Sequence, residues 1–166
     1  MDQNACSSPQ LIYWLNADDE AKDKFWNYVY SCVKEKYDLQ DAVVISKYTQ
    51  AFIDAIQLDD IKISSKDNLL YRIKLKSLPK NPEELRGKGG YFFEFDLNNF
   101  EEIYTKVSAK YQTVTYFGID LDKFKKGIIK NNLKGIDRVV PIGKAMDIGV
   151  FWDGHDLVRE LSRRIS

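Results

Sequence analysis

Residues 69–76 read Leu-Leu-Tyr-Arg-Ile-Lys-Leu-Lys, and residues 91–95 read Tyr-Phe-Phe-Glu-Phe. In the first stretch apolar side chains alternate with basic ones, which is the period of a strand that turns one face toward a core. The second stretch is apolar and aromatic over the length of one strand. We therefore predict strands at both places, and the first is a candidate for the edge of a sheet.

Two long helical patterns precede these strands. Apolar residues at spacings of three and four follow Asp18, a candidate cap, and predict a helix to about Lys36. A second pattern with the same spacing follows Asp41 and extends to about Ile56. Cys32 falls on the apolar stripe of the first helix, so we assign it to the core.

Strands and helices alternate along the rest of the chain. Short apolar runs predict further strands at residues 11–15, 113–117 and 138–142. Helical patterns begin near Asn99, Asp120 and Asp153. This alternation indicates an α/β fold. With no repeat and no linker in 166 residues, we expect residues 1–166 to form a single domain.

Composition excludes several classes of protein. The 25 basic residues balance the 25 acidic ones, which argues against binding to nucleic acid. One histidine and two cysteines are too few for a metal cluster, so we predict no metal site. No stretch reaches the roughly 20 apolar residues of a membrane span, and no leader opens the chain. A cytoplasmic protein is the expectation.

Cys6 is the strongest candidate for a reactive residue in this sequence. In Cys6-Ser7-Ser8-Pro9-Gln10, a hydroxyl and a proline stand where a helix would begin, which predicts a short helical turn. Backbone N–H groups at such a turn favour a thiolate, and a thiolate can attack an acyl carbon. The alternative is that Cys6 is a small buried hydrophobe, as many free cysteines are.

Two segments carry a resemblance to a known family. Residues 2–10, Asp-Gln-Asn-Ala-Cys-Ser-Ser-Pro-Gln, resemble the nucleophile segment of acyl-CoA reductases of the bioluminescence type, the LuxC family, within the aldehyde dehydrogenase superfamily. Residues 135–147, Gly-Ile-Asp-Arg-Val-Val-Pro-Ile-Gly-Lys-Ala-Met-Asp, and residues 152–156, Trp-Asp-Gly-His-Asp, are similar to its C-terminal signature. The residues between them contain no motif specific to that family.

The resemblance implies a fold, an activity and partners. The fold would be the three-layer catalytic domain of aldehyde dehydrogenases without its dinucleotide-binding domain. Cys6 would accept a fatty acyl group from a thioester, and NADPH would deliver hydride to release a long-chain aldehyde. The donor would be a long-chain acyl-CoA or an acyl-protein, an acyl-protein synthetase would be a partner, and the full protein would be a homo-oligomer.

The chain also departs from that family. The family's cysteine lies past the middle of the chain, after the cofactor-binding region, whereas here it is at position 6. No G-x-G-x-x-G follows a strand, and we interpret Gly87-Lys88-Gly89-Gly90 as a turn, because it lacks the spacing of a phosphate loop. We therefore expect the C-terminal portion of a longer reductase, from either a truncated chain or a split gene.

Five further residues are candidates for the site. Glu83 and Glu84 fall roughly where the superfamily places a glutamate on the nicotinamide ribose, although exposed loop carboxylates are usually solvated surface. Phe151 and Trp152 are candidates to line an acyl channel. His155 is a candidate general base or substrate contact; alternatively, it lies in the first turn of a helix capped at Asp153.

Two other functions stay open. Without a cofactor region, the chain could be a noncatalytic interaction module that offers sheet edges or helix faces to a partner. A thiol that works without nicotinamide, as in an acyltransferase or a peroxidase, is the third hypothesis.

Overall fold

A computed structural model describes residues 2–5 and 7–163. The chain divides into two compact units, Met1–Asn99 and Phe100–Ser166, here called the N-terminal and C-terminal units. That all 166 residues form a single domain stays a prediction.

The N-terminal unit is built on one mixed sheet. Its elements are β1 (Leu11–Leu15), α1 (Asp19–Lys36), α2 (Asp41–Gln57), β2 (Lys62–Lys66), β3 (Leu70–Lys74), a single 3-10 turn (Pro82–Glu84) and β4 (Tyr91–Leu97). The strand order is β1-β4-β3-β2. Strand β4 is parallel to both of its neighbours, and β2 pairs antiparallel with β3 at the edge. The strands expected around residues 69–76 and 91–95 are confirmed, but the first of them, β3, lies inside the sheet, and its neighbour β2 forms the edge.

Helices cover both faces of this sheet. On one face, Trp26 of α1 packs with Leu70 and Phe92. On the other, Ala51 of α2 packs into a cluster with Tyr71, Ile73, Tyr91 and Phe93, and the last three of these are almost completely buried. Successive residues of a strand point to opposite faces, so β3 and β4 contribute to both clusters. The predicted α/β class is confirmed, as three layers within this unit.

Helices α1 and α2 differ in part from the predicted ones. Asp18 caps α1 as expected, since its carboxylate accepts from the backbone N–H of Ala21 at 2.8 Å. The assignment of Cys32 to the core is wrong, because the buried face of α1 passes through Lys22, Trp26 and Val33 and leaves Cys32 exposed. Helix α2 buries Lys47, Ala51 and Asp54, and most of its large apolar residues are exposed.

The C-terminal unit contains shorter elements. They are α3 (Glu101–Tyr104), β5 (Thr113–Tyr116), α4 (Leu121–Lys130), β6 (Arg138–Pro141), β7 (Phe151–Trp152), β8 (His155–Asp156) and α5 (Leu157–Leu161). Strands β5 and β6 pair in parallel, and β7 and β8 form an antiparallel hairpin. Phe124 of α4 is the centre of its core, with its ring 5.0 Å from that of Phe100. Asp120 caps α4 as predicted, accepting from the N–H of Lys123.

The last helix begins later than predicted. Asp153 and Gly154 have φ angles of 48° and 82° and form the two-residue turn between β7 and β8. Asp-Gly favours this turn because both residues tolerate positive φ. Asp156 caps the helix instead, by accepting from the N–H of Arg159. His155 is therefore a strand residue and does not lie in the first turn of a helix.

No helix in the described part of the chain is long and apolar enough to cross a membrane.

Candidate functional site

The candidate site residues lie in different units. Cys6 lies outside the residues that the structure describes, but the residues on either side of it are described. Glu83 and Glu84 belong to the N-terminal unit. Phe151, Trp152 and His155 belong to the β7–β8 hairpin of the C-terminal unit. The site is therefore described from the segment that flanks Cys6 and, separately, from the hairpin.

The segment of residues 2–10 is held by the buried side chain of Gln3. Its Nε2 donates to the carbonyls of Pro9 and Tyr91, both at 2.8 Å. Its Oε1 accepts from the backbone N–H groups of Gly90 at 3.2 Å and Tyr91 at 2.9 Å. One amide thus fastens both ends of this segment to the start of β4, and it is fully satisfied in doing so.

Gln10 makes a second attachment to the same loop. Its side-chain Oε1 accepts from the N–H of Gly87 at 2.7 Å, and its carbonyl accepts from the N–H of Phe93 at 2.9 Å. Asp2 adds a third, because its carbonyl accepts from the N–H of Gly89 at 3.2 Å. The residues around Cys6 are therefore tied down at positions 2, 3 and 10.

The predicted helical turn at this segment is absent from the described residues. Ser8 donates its backbone N–H to the carbonyl of Ala5 at 2.9 Å, and Ser7 and Ser8 lie in a turn that leads to β1. Pro9 cannot donate, and its carbonyl is already bonded to Gln3. No helix begins within residues 7–10, and the expected stabilisation of the Cys6 thiolate lies outside the described residues.

The glycine cluster at residues 87–90 forms hydrogen bonds with this segment. A Cβ at Gly87 would overlap with Tyr91, and one at Gly89 would overlap with the side chain of Val43. The N–H groups of Gly87, Gly89 and Gly90 are all bonded to residues 2–10, so none of the three points outward for a phosphate. This explains the glycines by close backbone approach and agrees with the interpretation of the cluster as a turn.

Glu83 and Glu84 lie on the same loop as that cluster. They form the 3-10 turn after Asn81, with the N–H of Glu84 bonded to the carbonyl of Asn81 at 3.1 Å. Glu83 is half-buried and Glu84 is exposed. Buried Leu85 follows and fixes the loop against the α2 face of the sheet. The structure thus places both glutamates on a loop that is bonded directly to the Cys6 segment through Gln10 and Gly87.

Lys47 supports this loop from α2. Its ammonium group is almost completely buried, donates to the carbonyls of Gly89 at 2.8 Å and Asn68, and lies 5.3 Å from the centre of the Tyr71 ring. Burial lowers the pKa of Lys47 to about 8. Gly89 is the residue whose N–H holds Asp2, so Lys47 braces the loop at the point where the Cys6 segment binds.

The β7–β8 hairpin is organised by Arg138 of β6. Its guanidinium lies 4.0 Å from the centre of the Trp152 ring, a cation–π contact. The same group donates to the carbonyls of Ala145 at 2.9 Å and Asp147 at 3.1 Å. Arg138 therefore joins the two C-terminal segments singled out in the sequence. Trp152 is half-buried beneath it, and Phe151 is 73% exposed.

His155 interacts with a carboxylate on α5. Its Nδ1 lies 2.9 Å from Oε1 of Glu160. This hydrogen bond raises the pKa of His155 above its ordinary value, and the charge of Glu160 raises it further. A raised pKa extends the pH range over which the imidazolium persists, and the imidazolium suits contact with an anionic substrate better than proton abstraction.

Residues 2–5 and 7–163 contain no group of three or more His, Cys, Asp or Glu side chains placed to hold a metal ion. A scan against protein-family models and a search of the curated proteins find no match to this sequence.

Three residues of these sites were missed from the sequence. Gln3, Lys47 and Arg138 are ordinary polar residues in the sequence alone, and the bonds of the first two to residues 89–91 span 42 to 88 residues. Arg138 was part of a quoted motif, but its role depends on the aromatic ring of Trp152. One feature of the sequence hints at the role of Gln3: it is a glutamine close to a cysteine, in a segment without helical or strand periodicity.

Proposed function

We propose that this chain carries the acyl-accepting thiol of a fatty acyl-CoA reductase. The observation that carries the proposal is the anchoring of the Cys6 segment by Gln3 and Gln10 to the loop that bears Glu83 and Glu84. The resemblance of residues 2–10, 135–147 and 152–156 to the LuxC family supports it. A nucleophile gains from such anchoring, because the attack needs a fixed geometry.

The first half of the proposed reaction is an acyl transfer. The Cys6 thiolate attacks the carbonyl carbon of the acyl-CoA thioester and forms a new C–S bond. The C–S bond to coenzyme A breaks, and coenzyme A leaves as a thiolate that takes up a proton from water. The acyl group remains on Cys6 as a thioester, which preserves its reactivity for the second half.

The second half needs a nicotinamide cofactor, proposed as NADPH, which supplies the hydride that reduces the acyl group to an aldehyde. Of the described residues, exposed Glu84 and half-buried Glu83 offer carboxylates that fit the hydroxyls of its ribose. The glycine loop does not fit its phosphates, because three of its N–H groups are already bonded. The phosphate-binding residues of this proposal are therefore not in residues 87–90.

Substrate contact is proposed for the hairpin. The exposed ring of Phe151 and the half-buried ring of Trp152 offer apolar surface to a fatty chain, at about 0.8 kcal/mol per buried methylene. His155 with its raised pKa offers a cation to the phosphates of coenzyme A. The donor is proposed to be a long-chain acyl-CoA or an acyl-protein, in a cytoplasmic homo-oligomer that works with an acyl-protein synthetase.

The test uses the two thiols of the chain. The protein is incubated with a long-chain acyl-CoA, and intact-mass and peptide mass spectrometry locate the acyl group. We expect one acyl group on Cys6, released by hydroxylamine as a thioester. Cys6→Ala removes the adduct, whereas Cys32→Ala, the matched control on the exposed surface of α1, leaves it unchanged.

The opposite pattern contradicts the proposal. Acylation of Cys32 at the rate of Cys6, or an unlabelled Cys6 in protein that melts cooperatively, excludes the acyl-enzyme. The pH dependence of Cys6 alkylation is a second measurement. A midpoint near 8.5, that of an ordinary thiol, would disfavour every thiol-based function, including the two without nicotinamide.

A further inference from the structure

The outer face of α2 is unusually apolar for a surface helix. Its large apolar side chains with more than a third of their surface exposed are Ile45, Tyr48, Phe52, Ile53 and Ile56. Tyr48 and Phe52 touch each other edge to face, with ring centres 4.7 Å apart. Residues 45, 48, 52 and 56 follow the three-and-four spacing of one helical stripe, here called the α2 stripe. It extends over three turns of the helix.

No charged side chain interrupts this face. Beyond Asp41 at its start, α2 has two charged residues, Lys47 and Asp54, and both are buried against the sheet. The other exposed positions of the helix after Asp41 are small or neutral: Ala42, Ser46, Thr49, Ala55 and Gln57. A helix that faces water normally carries charge on its outer side, so this distribution indicates a covered surface.

The distribution of charge on α2 also indicates which kind of partner would cover the α2 stripe. Nucleic acid and anionic lipid both require Lys or Arg at the contact, and α2 presents neither on its outer face. A twofold interface places each surface patch against its own copy, and a charged side chain on the axis would meet a like charge. A neutral patch avoids this repulsion, which makes it suited to pairing with a second copy.

The exposed area is large enough for a dimer. The five stripe and flanking side chains expose on the order of 600 Å² per chain, given the 150–250 Å² that a large aromatic side chain buries. Two copies would cover about 1,200 Å² from these side chains alone, which reaches the lower bound of a stable interface. The aromatic pair at the centre and neutral polar residues at the margin match the anatomy of such interfaces.

We propose that the α2 stripe is a twofold interface through which two copies of this chain associate. Tyr48 and Phe52 form its centre, and Ile45 and Ile56 lie at its two ends. The expected product is a homodimer whose formation depends on α2 and does not depend on Cys6. The proposal rests on the homo-oligomer of the proposed function and names its interface. Because the dimer does not depend on Cys6, failure to detect an acyl-enzyme would leave the interface standing for the interaction module.

The test compares two tyrosines on opposite helices. Tyr48 of α2 and Tyr28 of α1 are 58% and 66% exposed. Sedimentation equilibrium from about 1 to 100 µM should give wild-type protein a mass of twice 19.3 kDa. Tyr48→Glu places two carboxylates in the centre and should raise the dimer dissociation constant at least about 30-fold, whereas Tyr28→Glu should not change it.

Two further variants separate the stripe from other apolar surface. Ile56→Glu at the end of the stripe should also weaken the dimer, and Leu161→Glu, at an 83% exposed position of the C-terminal unit, should not. Thermal melts by circular dichroism check that every variant is folded. All four substitutions are at exposed positions, so a folded monomer of Tyr48→Glu is the supporting result.

Three outcomes overturn the proposal. One is a wild-type monomer at about 100 µM, which would leave the stripe to a different partner. Another is a dimer that Leu161→Glu or Tyr28→Glu weakens and Tyr48→Glu does not. The third is binding of wild-type protein, but not of Tyr48→Glu, to neutral phosphatidylcholine vesicles, which would assign the stripe to a lipid surface.

Discussion

Helices α1 and α2 cover opposite faces of one sheet, and they differ in where their charges lie. The exposed residues of α1 include seven charged ones: Asp19, Glu20, Asp23, Lys24, Lys34, Glu35 and Lys36. The exposed residues of α2 after Asp41 include none. The two helices are similar in length and pack on the same sheet, but their outer surfaces differ in charge. The outer surface of α1 is suited to water, and that of α2 is suited to another protein surface.

The buried charges under the two helices differ as well. Beneath α1, the carboxylate of Glu94 accepts from Trp14 Nε1 at 2.7 Å, Trp26 Nε1 at 2.8 Å and Arg72 Nε at 2.7 Å. Nearby, Lys22 pairs with Asp96 at 2.6 Å. Beneath α2, the partners of Lys47 are backbone carbonyls and an aromatic ring. Buried charges are thus paired with opposite charges beneath α1, whereas the ammonium of Lys47 beneath α2 is stabilised by neutral groups.

This difference bears on function. An ion pair holds its members charged over a wide pH range, whereas an ammonium among neutral dipoles is easily deprotonated. Lys47 is also the group that braces the loop under the Cys6 segment. The α2 face therefore combines the pH-sensitive group, the attachment of the candidate nucleophile and the uncharged outer stripe, and the α1 face has a structural role.

The largest expected effect on stability comes from removing the buried carboxylate of Glu94 beneath α1. Glu94→Ala should lower the free energy of unfolding by about 3 kcal/mol or more, because it leaves Arg72 and two indole N–H groups without their shared acceptor. Urea denaturation at pH 7 measures it. Glu94→Gln, which keeps an acceptor, should cost less, and Glu35→Ala on the exposed side of α1 should stay within about 0.5 kcal/mol. Equal losses for Glu94→Ala and Glu35→Ala would refute the buried network.

A smaller expected effect is the change of stability with pH that buried Lys47, beneath α2, produces. Between pH 8 and 10 the unfolded state binds a proton at Lys47 that the folded state has released, so stability should rise with pH in this window. Wild type should gain about 2 kcal/mol relative to Lys47→Met between these pH values. Urea denaturation of both proteins at several pH values gives the difference, in which the other lysines cancel.

Parallel pH profiles of wild type and Lys47→Met would show that burial does not shift the pKa of Lys47. A difference of opposite sign would show that the ammonium is stabilised in the folded state.

The smallest effect concerns Asp54, the other buried charge under α2. Its carboxylate accepts from the Tyr91 hydroxyl at 2.6 Å and from Gln50 Nε2 at 2.9 Å. Burial raises the pKa of Tyr91, and the hydrogen bond to Asp54 raises it further, so the phenol stays a donor at neutral pH. A double-mutant cycle of Tyr91→Phe and Asp54→Asn should give a coupling of about 1 kcal/mol. Additive single-mutant effects would mean that the bond contributes nothing.

The parts of the fold that depend on local physics could be predicted from the sequence. Alternation predicted β3, and carboxylates in capping positions located the starts of α1 and α4. Asp153-Gly154 is a two-residue turn signal that overlaps a capping pattern, and the sequence alone does not decide between them. Periodicity could not show which side of α2 faces the sheet, because apolar residues lie on both sides of that helix.

The candidate site was less predictable, because its contacts are long-range. Nothing near Gln3 indicates that its amide will bond to Tyr91, 88 residues later. Lys47 sits in an apolar stretch, where a lysine is usually expected to face solvent, and its partner Gly89 is 42 residues away. The sequence predicts the glycine cluster as a turn, but the reason for the glycines, the close approach of Gly87 to Tyr91 and of Gly89 to Val43, requires the folded chain.

The parallel pairing of β1 with β4 sets an order of events during synthesis. Leu11 aligns with Phe93, so the first strand has no partner until some eighty residues more have left the ribosome. At about 5–20 residues per second, that delay is on the order of 4 to 16 seconds. Gln3 and Gln10, which attach the candidate nucleophile segment, wait over the same interval for the backbone N–H groups of Gly87, Gly90 and Tyr91, so this segment is seated late relative to its own synthesis.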